Sequence, residues 1–426
     1  MRSLADFERR ARELDQADPL ARFRPRFHVR PGTIYMDGNS LGLLSIDAEQ
    51  AVLRVLEQWK TQAIGGYSLP RPDSWYFMGE ELGAMMAPLV GAEAGEVVAT
   101  GTTTVNLHQL MATFYRPAGT KRKIIATDLD FPTDIYALQA QIRLHGGDPA
   151  VDLVRVASRD GRTIAESDLI AAMGPDVAVA LLPSVLYRSG QLLDIASLTK
   201  AAHERGLLIG FDCSHSVGAV PHRLSEAGVD FAFWCSYKYL NAGPGSVAAL
   251  YVNRRHHGKW PGLAGWWGHD KATQFDMAHV FHPAADAGAW QISSNPQLSA
   301  APLRASLAMF REAGIDRVRE KSLKITAFLM ELIEAIANFG YSIGNPREPE
   351  RRGGHVAVEH EEAARICKCL KSRNVVPDFR MPNVVRLAPI ALYNGFQEAW
   401  QVARHLQEIA ETRAYERFPP GRDLIA

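Results

Sequence analysis

The chain has 426 residues, with 47 basic against 47 acidic side chains and therefore a formal charge of zero, which gives no bulk pull toward nucleic acid or anionic membranes. A hydrophobic share of 47% with 34 Gly and 24 Pro is the make-up of a folded globular chain and excludes collagen-like, disordered and disulfide-scaffold classes. Cys213, Cys235, Cys367 and Cys369 form no C-x-x-C pair, and a reducing compartment is expected. The first residues lack an apolar core, and no uncharged apolar run reaches the roughly eighteen residues of a membrane helix. A cytoplasmic location follows as an expectation.

In chain order, Leu4, Phe7, Ala11 and Leu14 recur at helical spacing and predict an amphipathic helix over 3–16 that packs on the body of the protein. Ile34-Tyr35-Met36-Asp37 then runs into a turn, Gly38-Asn39-Ser40-Leu41-Gly42, followed by a helical pattern over 46–60. From residue 97 the text changes to seven short apolar runs: 97–99, 124–126, 151–156, 177–182, 207–211, 231–234 and 247–252. Helical patterns at 105–114, 133–144 and 195–205 separate most of them, so the reading is an α/β domain whose mainly parallel seven-stranded sheet has helices on both faces. Between the last two strands, residues 236–246 are too few for a parallel crossover, and that pair is expected to be antiparallel. Beyond 310 come a long helix at 316–338, a strand at 356–358, a helix at 361–373, short strands near 375 and 384, and a last helix from 396. These form a smaller α+β domain. The expected division is an N-terminal helical segment at 1–60, a large α/β domain at 61–310 and the small domain at 311–426.

The most informative motif is Trp234-Cys235-Ser236-Tyr237-Lys238-Tyr239-Leu240-Asn241-Ala242-Gly243, a lysine between an apolar strand and a glycine-rich turn. Such a lysine is either a loop residue at the surface or, in a desolvated pocket, a nucleophile able to form a Schiff base. Asp212 ends a hydrophobic strand, where it serves either as a helix cap or as a buried carboxylate facing a ligand. An acid at a strand end and a pocket lysine are together the layout that pyridoxal phosphate needs, the lysine for its aldehyde and the acid for its ring nitrogen. Thr100-Gly101-Thr102-Thr103-Thr104 follows a strand and opens a helix, as a phosphate cup or a plain cap. Phe131-Pro132-Thr133-Asp134 is either a capped helix start or a ring to stack on a heteroaromatic group with a hydroxyl or carboxylate near its rim.

These segments, with Tyr35 to Gly42, Thr104-Val105-Asn106-Leu107-His108, His215-Ser216-Val217-Gly218, Gly265-Trp266-Trp267-Gly268-His269, Arg386-Leu387-Ala388-Pro389 and Leu392-Tyr393-Asn394, occur in an order that resembles the kynureninase family over nearly the whole chain. That family consists of fold-type-I pyridoxal-phosphate enzymes of the aminotransferase class V superfamily. The resemblance implies an aspartate-aminotransferase-like large domain and hydrolysis of L-kynurenine, or its 3-hydroxy form, to anthranilate or 3-hydroxyanthranilate and L-alanine, in tryptophan degradation and NAD biosynthesis. It implies that Lys238 carries the cofactor and the Cα proton, that Asp212 pairs with the ring nitrogen and that Phe131 stacks on the ring. Thr103, Thr104 and Tyr237 would lie near the phosphate, and Asp134 and His215 around the ring; Tyr237 would also serve as an acid/base partner. Arg386 would grip the substrate carboxylate, against the alternative of a surface arginine on a strand edge. Asn39, Tyr67, Trp267 and the Ser294-Asn295 pair would bear on the substrate, and the segment Leu182-Pro183-Ser184-Val185 would approach the cofactor. Trp266 and Asn295 would come from a neighbouring subunit, implying a homodimer with shared sites.

Competing readings are a serine hydrolase, because Gly38-Asn39-Ser40-Leu41-Gly42 fits G-x-S-x-G with Ser40 as nucleophile, and a cysteine desulfurase-like lyase, which needs a mobile cysteine. Gly243 to Ala248 fits a dinucleotide signature but lacks the helix that must follow it. His269, Asp270, His279 and His282 are read as packing or pocket residues, with no metal expected.

Overall fold

The structure, a computed structural model, describes residues 4–423. Its centre is one seven-stranded sheet in the order Val97–Ala99, Ala249–Val252, Phe231–Trp234, Leu208–Asp212, Val177–Pro183, Lys123–Thr127, Leu153–Val156. The last five run parallel, while Ala249–Val252 is antiparallel to both its neighbours. The short 236–246 connection therefore reverses the chain, as expected. Successive residues of a strand point to opposite faces, and here both faces are covered. Phe211, Ala232 and Trp234 enter one core, and Leu181, Phe231 and Phe233 enter the other. This explains why the strands read as unbroken apolar runs. The run expected from 151 begins as a short helix, Pro149–Asp152, with its cap at Asp148, and becomes strand only at Leu153–Val156.

The strand order also places the ligand side. From Lys123–Thr127 the chain moves outward to Leu153–Val156, and from Val177–Pro183 it moves the opposite way through Leu208–Asp212. The crevice at such a reversal, outside the carboxyl ends of the strands, is where open α/β sheets bind ligands.

A second core lies in a four-stranded antiparallel sheet, Asp378–Arg380, Val384–Leu387, Val356–Glu359 and Ser342–Ile343, covered by helices Ile315–Ala335, Ala363–Ser372 and Phe396–Glu411. The strand near 375 proves to be Val375–Val376, which leaves this sheet to pair in parallel with Ile34–Tyr35. The N-terminal residues are shared between the two cores. Helix Leu4–Gln16 buries Leu4, Phe7 and Ala11 in the second core, and Asp15 accepts hydrogen bonds from the backbone N–H of Phe396 (2.6 Å) and Gln397 (2.9 Å) at a helix start. Helix Ile46–Gln62, capped by Ser45, instead packs on Gln297–Ala313 of the large domain.

Candidate active site

The carboxyl ends of Val97–Ala99, Lys123–Thr127, Val177–Pro183, Leu208–Asp212 and Phe231–Trp234 lie on one edge of the sheet and feed the loops carrying most of the candidate residues. Lys238 stands in the loop after Trp234. That loop is closed by Ala242 N–H donating to Ser236 O (3.1 Å) and Asn241 N–H to Lys238 O (2.9 Å), with Asn241 left-handed at φ 54°. The Gly38–Gly42 turn lies against it, Gly42 N–H donating to Tyr237 O at 2.8 Å. A Cβ at Gly42 would come within 2.6 Å of Lys238 O, so only glycine permits this approach.

Lys238 Nζ lies 2.9 Å from His215 Nε2 and 5.9 Å from the centroid of the Phe131 ring. His215 is buried; burial first, then the charge of Lys238, holds its pKa well below the usual range, so the ring is neutral and its Nε2 accepts from the ammonium. Phe131 is 42% exposed, an apolar face left open beside the amine. Asp212, at the strand end, accepts from Ser214 N–H at 2.8 Å. Asp134 is completely enclosed, and burial together with the neighbouring Asp212 and Asp130 charges raises its pKa far above the carboxylate range. Burial lifts Asp130 to about 7, against hydrogen bonds from Thr127. Three buried carboxyl groups thus crowd one corner.

Thr103 and Thr104 open helix Thr103–Phe114, Thr104 Oγ1 lying 3.2 Å from Thr133 Oγ1, and the Tyr237 phenol lies beside Thr103. Burial above all raises the Tyr237 phenol, which keeps its proton. Ser184 is fully buried and its Oγ is engaged by Asp212 O (2.9 Å) and Ser216 Oγ (2.8 Å), so it braces the backbone that carries Asp212.

Arg386 is neither on a strand edge nor at the surface. Its strand lies inside the small sheet, its residue is 1% exposed, and it faces Asp378 in register on the neighbouring strand. Nε donates to Asp378 Oδ1 (2.7 Å), Nη2 to Asp378 Oδ2 and to Ser40 Oγ (3.0 Å), and Nη1 to Tyr187 O (2.6 Å). With its amide turned to satisfy both ends, Asn39 accepts from Arg386 Nε at 3.2 Å and donates to Asp37 at 3.3 Å. The Ser40 hydroxyl donates to Asp378 Oδ2 (2.9 Å). Its partners are therefore a carboxylate and a guanidinium instead of a histidine base, which overturns Ser40 as a nucleophile. Tyr187 links the two groups, its carbonyl on Arg386 and its ring edge-on to Phe131 at 5.3 Å.

Trp266, Trp267, Tyr67 and Asn295 form a different group. Trp267 is buried with ring contacts to Tyr67 (6.0 Å), Tyr76 (5.6 Å) and Trp266 (5.7 Å), and its Nε1 has no partner. Trp266 is 47% exposed. Asn295 is buried, its amide turned to accept from Gly79 N–H and to donate to Ala99 O. No hydrogen bond or ring contact among the described residues joins this group to Lys238. Sequence reasoning passes over Asp130, Tyr187, Asp378 and His355, the last a buried ring 6.3 Å from that of His215. Asp130 directly precedes the Phe131 motif; Asp378 becomes visible only through its cross-strand register.

The donor set fits pyridoxal phosphate. Asp134 Oδ1 and His215 Nδ1 are buried without partners around the Lys238 amine, and the crowded carboxyls need a positive partner such as a protonated pyridine nitrogen. The open Phe131 face suits a flat ring, and the helix start at Thr103, with its hydroxyls and the Tyr237 phenol, suits an anion.

A family model for the kynureninase C-terminal domain matches residues 318–406. The chain is 57% identical over 417 residues to a kynureninase of Geobacillus thermodenitrificans and 55% identical over 417 residues to one of Bacillus anthracis. Each alignment covers 98% of this chain and 97% of the relative. Among solved structures, the apo cysteine desulfurase of Thermococcus onnurineus superposes with a TM-score of 0.78 at 16% identity, over 93% of this chain and 98% of that one. The Escherichia coli cysteine desulfurase CsdA gives 0.75 at 15%, over 92% and 98%. Those two likenesses are of fold. All four cysteines here are buried, Cys367 and Cys369 within a helix, so a mobile desulfurase thiol is lacking.

Proposed function

The chain belongs to the kynureninase family and hydrolyses the Cβ–Cγ bond of L-kynurenine to anthranilate and L-alanine, using pyridoxal phosphate; we propose the following parts for its residues. When bound, the cofactor supplies an aldehyde that condenses with an amine and a protonated ring that takes up the electron pair released at the substrate Cα.

Lys238 Nζ would hold the aldehyde carbon and, once the substrate amine has taken its place, would as a free amine accept and return the Cα proton, while neutral His215 accepts a hydrogen bond from Nζ and keeps it aimed over the Phe131 face. Asp212, braced by Ser184, would keep the ring nitrogen protonated, with Asp134 beside it. Thr103, Thr104 and Tyr237 would hold the phosphate, and the Tyr237 phenol, which retains its proton, could give it to the substrate's γ-oxygen or Cβ. Arg386 reads the α-carboxylate with its planar fork, beside Asn39. Across the reaction, water gives its hydroxyl to the acyl carbon that becomes the anthranilate carboxyl group, and its remaining hydrogen is balanced by the one that Cβ gains to become the alanine methyl group.

Tyr67 and Trp267 serve the aromatic end of the substrate. We also propose a homodimer in the cytoplasm. Supporting it, Leu53, Leu56, Trp59 and Ile64 leave an apolar stripe exposed along and just beyond helix Ile46–Gln62, more than a lone surface residue accounts for. Of the two residues expected to reach a partner's site, exposed Trp266 is the one offered to it, since the Asn295 amide is engaged within its own chain.

The observation carrying this reading is the Lys238 amine, set between His215 and the open Phe131 ring, in a chain so close to its kynureninase relatives. Cofactor-loaded protein given L-kynurenine should release anthranilate, seen by fluorescence, and L-alanine in equal amounts. Alanine without anthranilate, or neither product, would overturn it.

A further inference from the structure

We infer that Asp378 is a positioning residue for substrate recognition: it grips one edge of the Arg386 guanidinium and so fixes the other nitrogen toward the carboxylate of the incoming amino acid. The inference rests on the reading of Arg386 given above and deepens it. A guanidinium has five N–H groups. Asp378 takes two, Ser40 and the Tyr187 carbonyl take one each, and one on Nη1 is left. The substrate can use that hydrogen and exchange with the Ser40 contact, a neutral one, but cannot displace Asp378 without leaving a buried carboxylate short of partners.

Asp378 is itself locked. It is 1% exposed, and besides Arg386 it accepts from Ser40 Oγ (2.9 Å) and pairs with Arg380 (2.8 Å). Burial works to raise its pKa, but the Arg386 and Arg380 charges prevail and lower it, so it is an anion throughout. The Arg386 side chain therefore meets the substrate with its rotamer already chosen, and little freedom is left to lose on binding. The Gly38–Gly42 turn supports the same arrangement, since it delivers Ser40 and Asn39 to the guanidinium while its glycine lies against the Lys238 loop.

The test compares wild type with D378N, which keeps the shape but turns an amide toward the Arg386 donors, in the cofactor-loaded protein. L-alanine carries the α-carboxylate and 2-aminoacetophenone only the aryl ketone, so their dissociation constants, measured by calorimetry, separate the two ends of the substrate. D378N should weaken L-alanine binding and raise the KM for kynurenine by about tenfold or more, with kcat and 2-aminoacetophenone binding within about twofold. Equal weakening of both ligands, or of neither, would overturn the inference, the first because it marks a merely structural role. R386K is measured beside it. If R386K weakens L-alanine and D378N does not, the inference alone fails; if R386K leaves L-alanine binding unchanged, the reading of Arg386 fails and takes the inference with it. Should D378N not fold, D378E, which keeps the charge and displaces it by one methylene, is expected to show the same selective loss, and unchanged L-alanine binding there would overturn the inference.

Discussion

The two ends of the site are built on opposite plans. Around Lys238, polar groups are buried with too few partners: Asp134 and His215 each keep an orphaned atom, and Asp130, Asp134 and Asp212 crowd together near a single ammonium. At Arg386, four of the five guanidinium donors and both Asp378 oxygens are matched within the chain, by Asp378, Ser40, Arg380 and the Tyr187 carbonyl, with Asn39 alongside. The first end is completed by a group that the chain does not make, and the second is finished beforehand. A buried polar atom without a partner marks where something else binds, whereas a saturated one marks a fixed tool.

Mutation should expose this contrast. K238A should lower anthranilate production by about 10³-fold or more, because the amine at the cofactor end is lost. Its melting temperature without cofactor should change little. R386A should do the reverse for stability, lowering it by about 3–5 kcal/mol, because Asp378 is left buried and short of its main partner. Chemical denaturation of the two variants checks the pair; equal losses would erase the distinction between the ends.

Cofactor loading should stabilise the protein by about 2.7 kcal/mol at a free concentration near 100 times Kd, visible as a raised Tm. R386K should keep most of that gain, since Arg386 faces the substrate, whereas K238A and D212N should lose much of it. A loss in R386K as large as in D212N would mean that the two ends are not separate.

The smallest effect concerns acid. Burial above all lowers the pKa of His222 to about 4 and of His355 to about 3, so both are neutral when folded. Their folded values lie below the unfolded value near 6.5, so the stability they contribute is complete above pH of about 6.5 and is lost as pH falls through the folded values. H222Q, which can still donate to Ser216, should flatten the fall in Tm between about pH 6.5 and 4. An unchanged slope would show that His222 is not held neutral.

Much of the large domain was legible because its strands are buried on both faces and so read as plain apolar runs, and because a short 236–246 connection can only reverse direction. Lys238 and Asp212 stood out as polar residues at the ends of such runs. Asp378 did not, since an aspartate in Val376-Pro377-Asp378-Phe379 has nothing local to distinguish it; its meaning comes from lying opposite Arg386 across a strand pair. The same holds for Ile34–Tyr35, whose strand partner is some 340 residues away, Ile34 pairing with Val375. Ser40 misled for the complementary reason: a five-residue pattern matches an elbow, yet the carboxylate and guanidinium that claim its hydroxyl come from distant strands.

The attachment point itself can be read chemically. Borohydride reduction of cofactor-loaded protein, followed by peptide mass mapping, should place a pyridoxyl group on the Lys238 peptide and on no other lysine. An adduct elsewhere, or a Lys238 peptide recovered without one, would contradict the account.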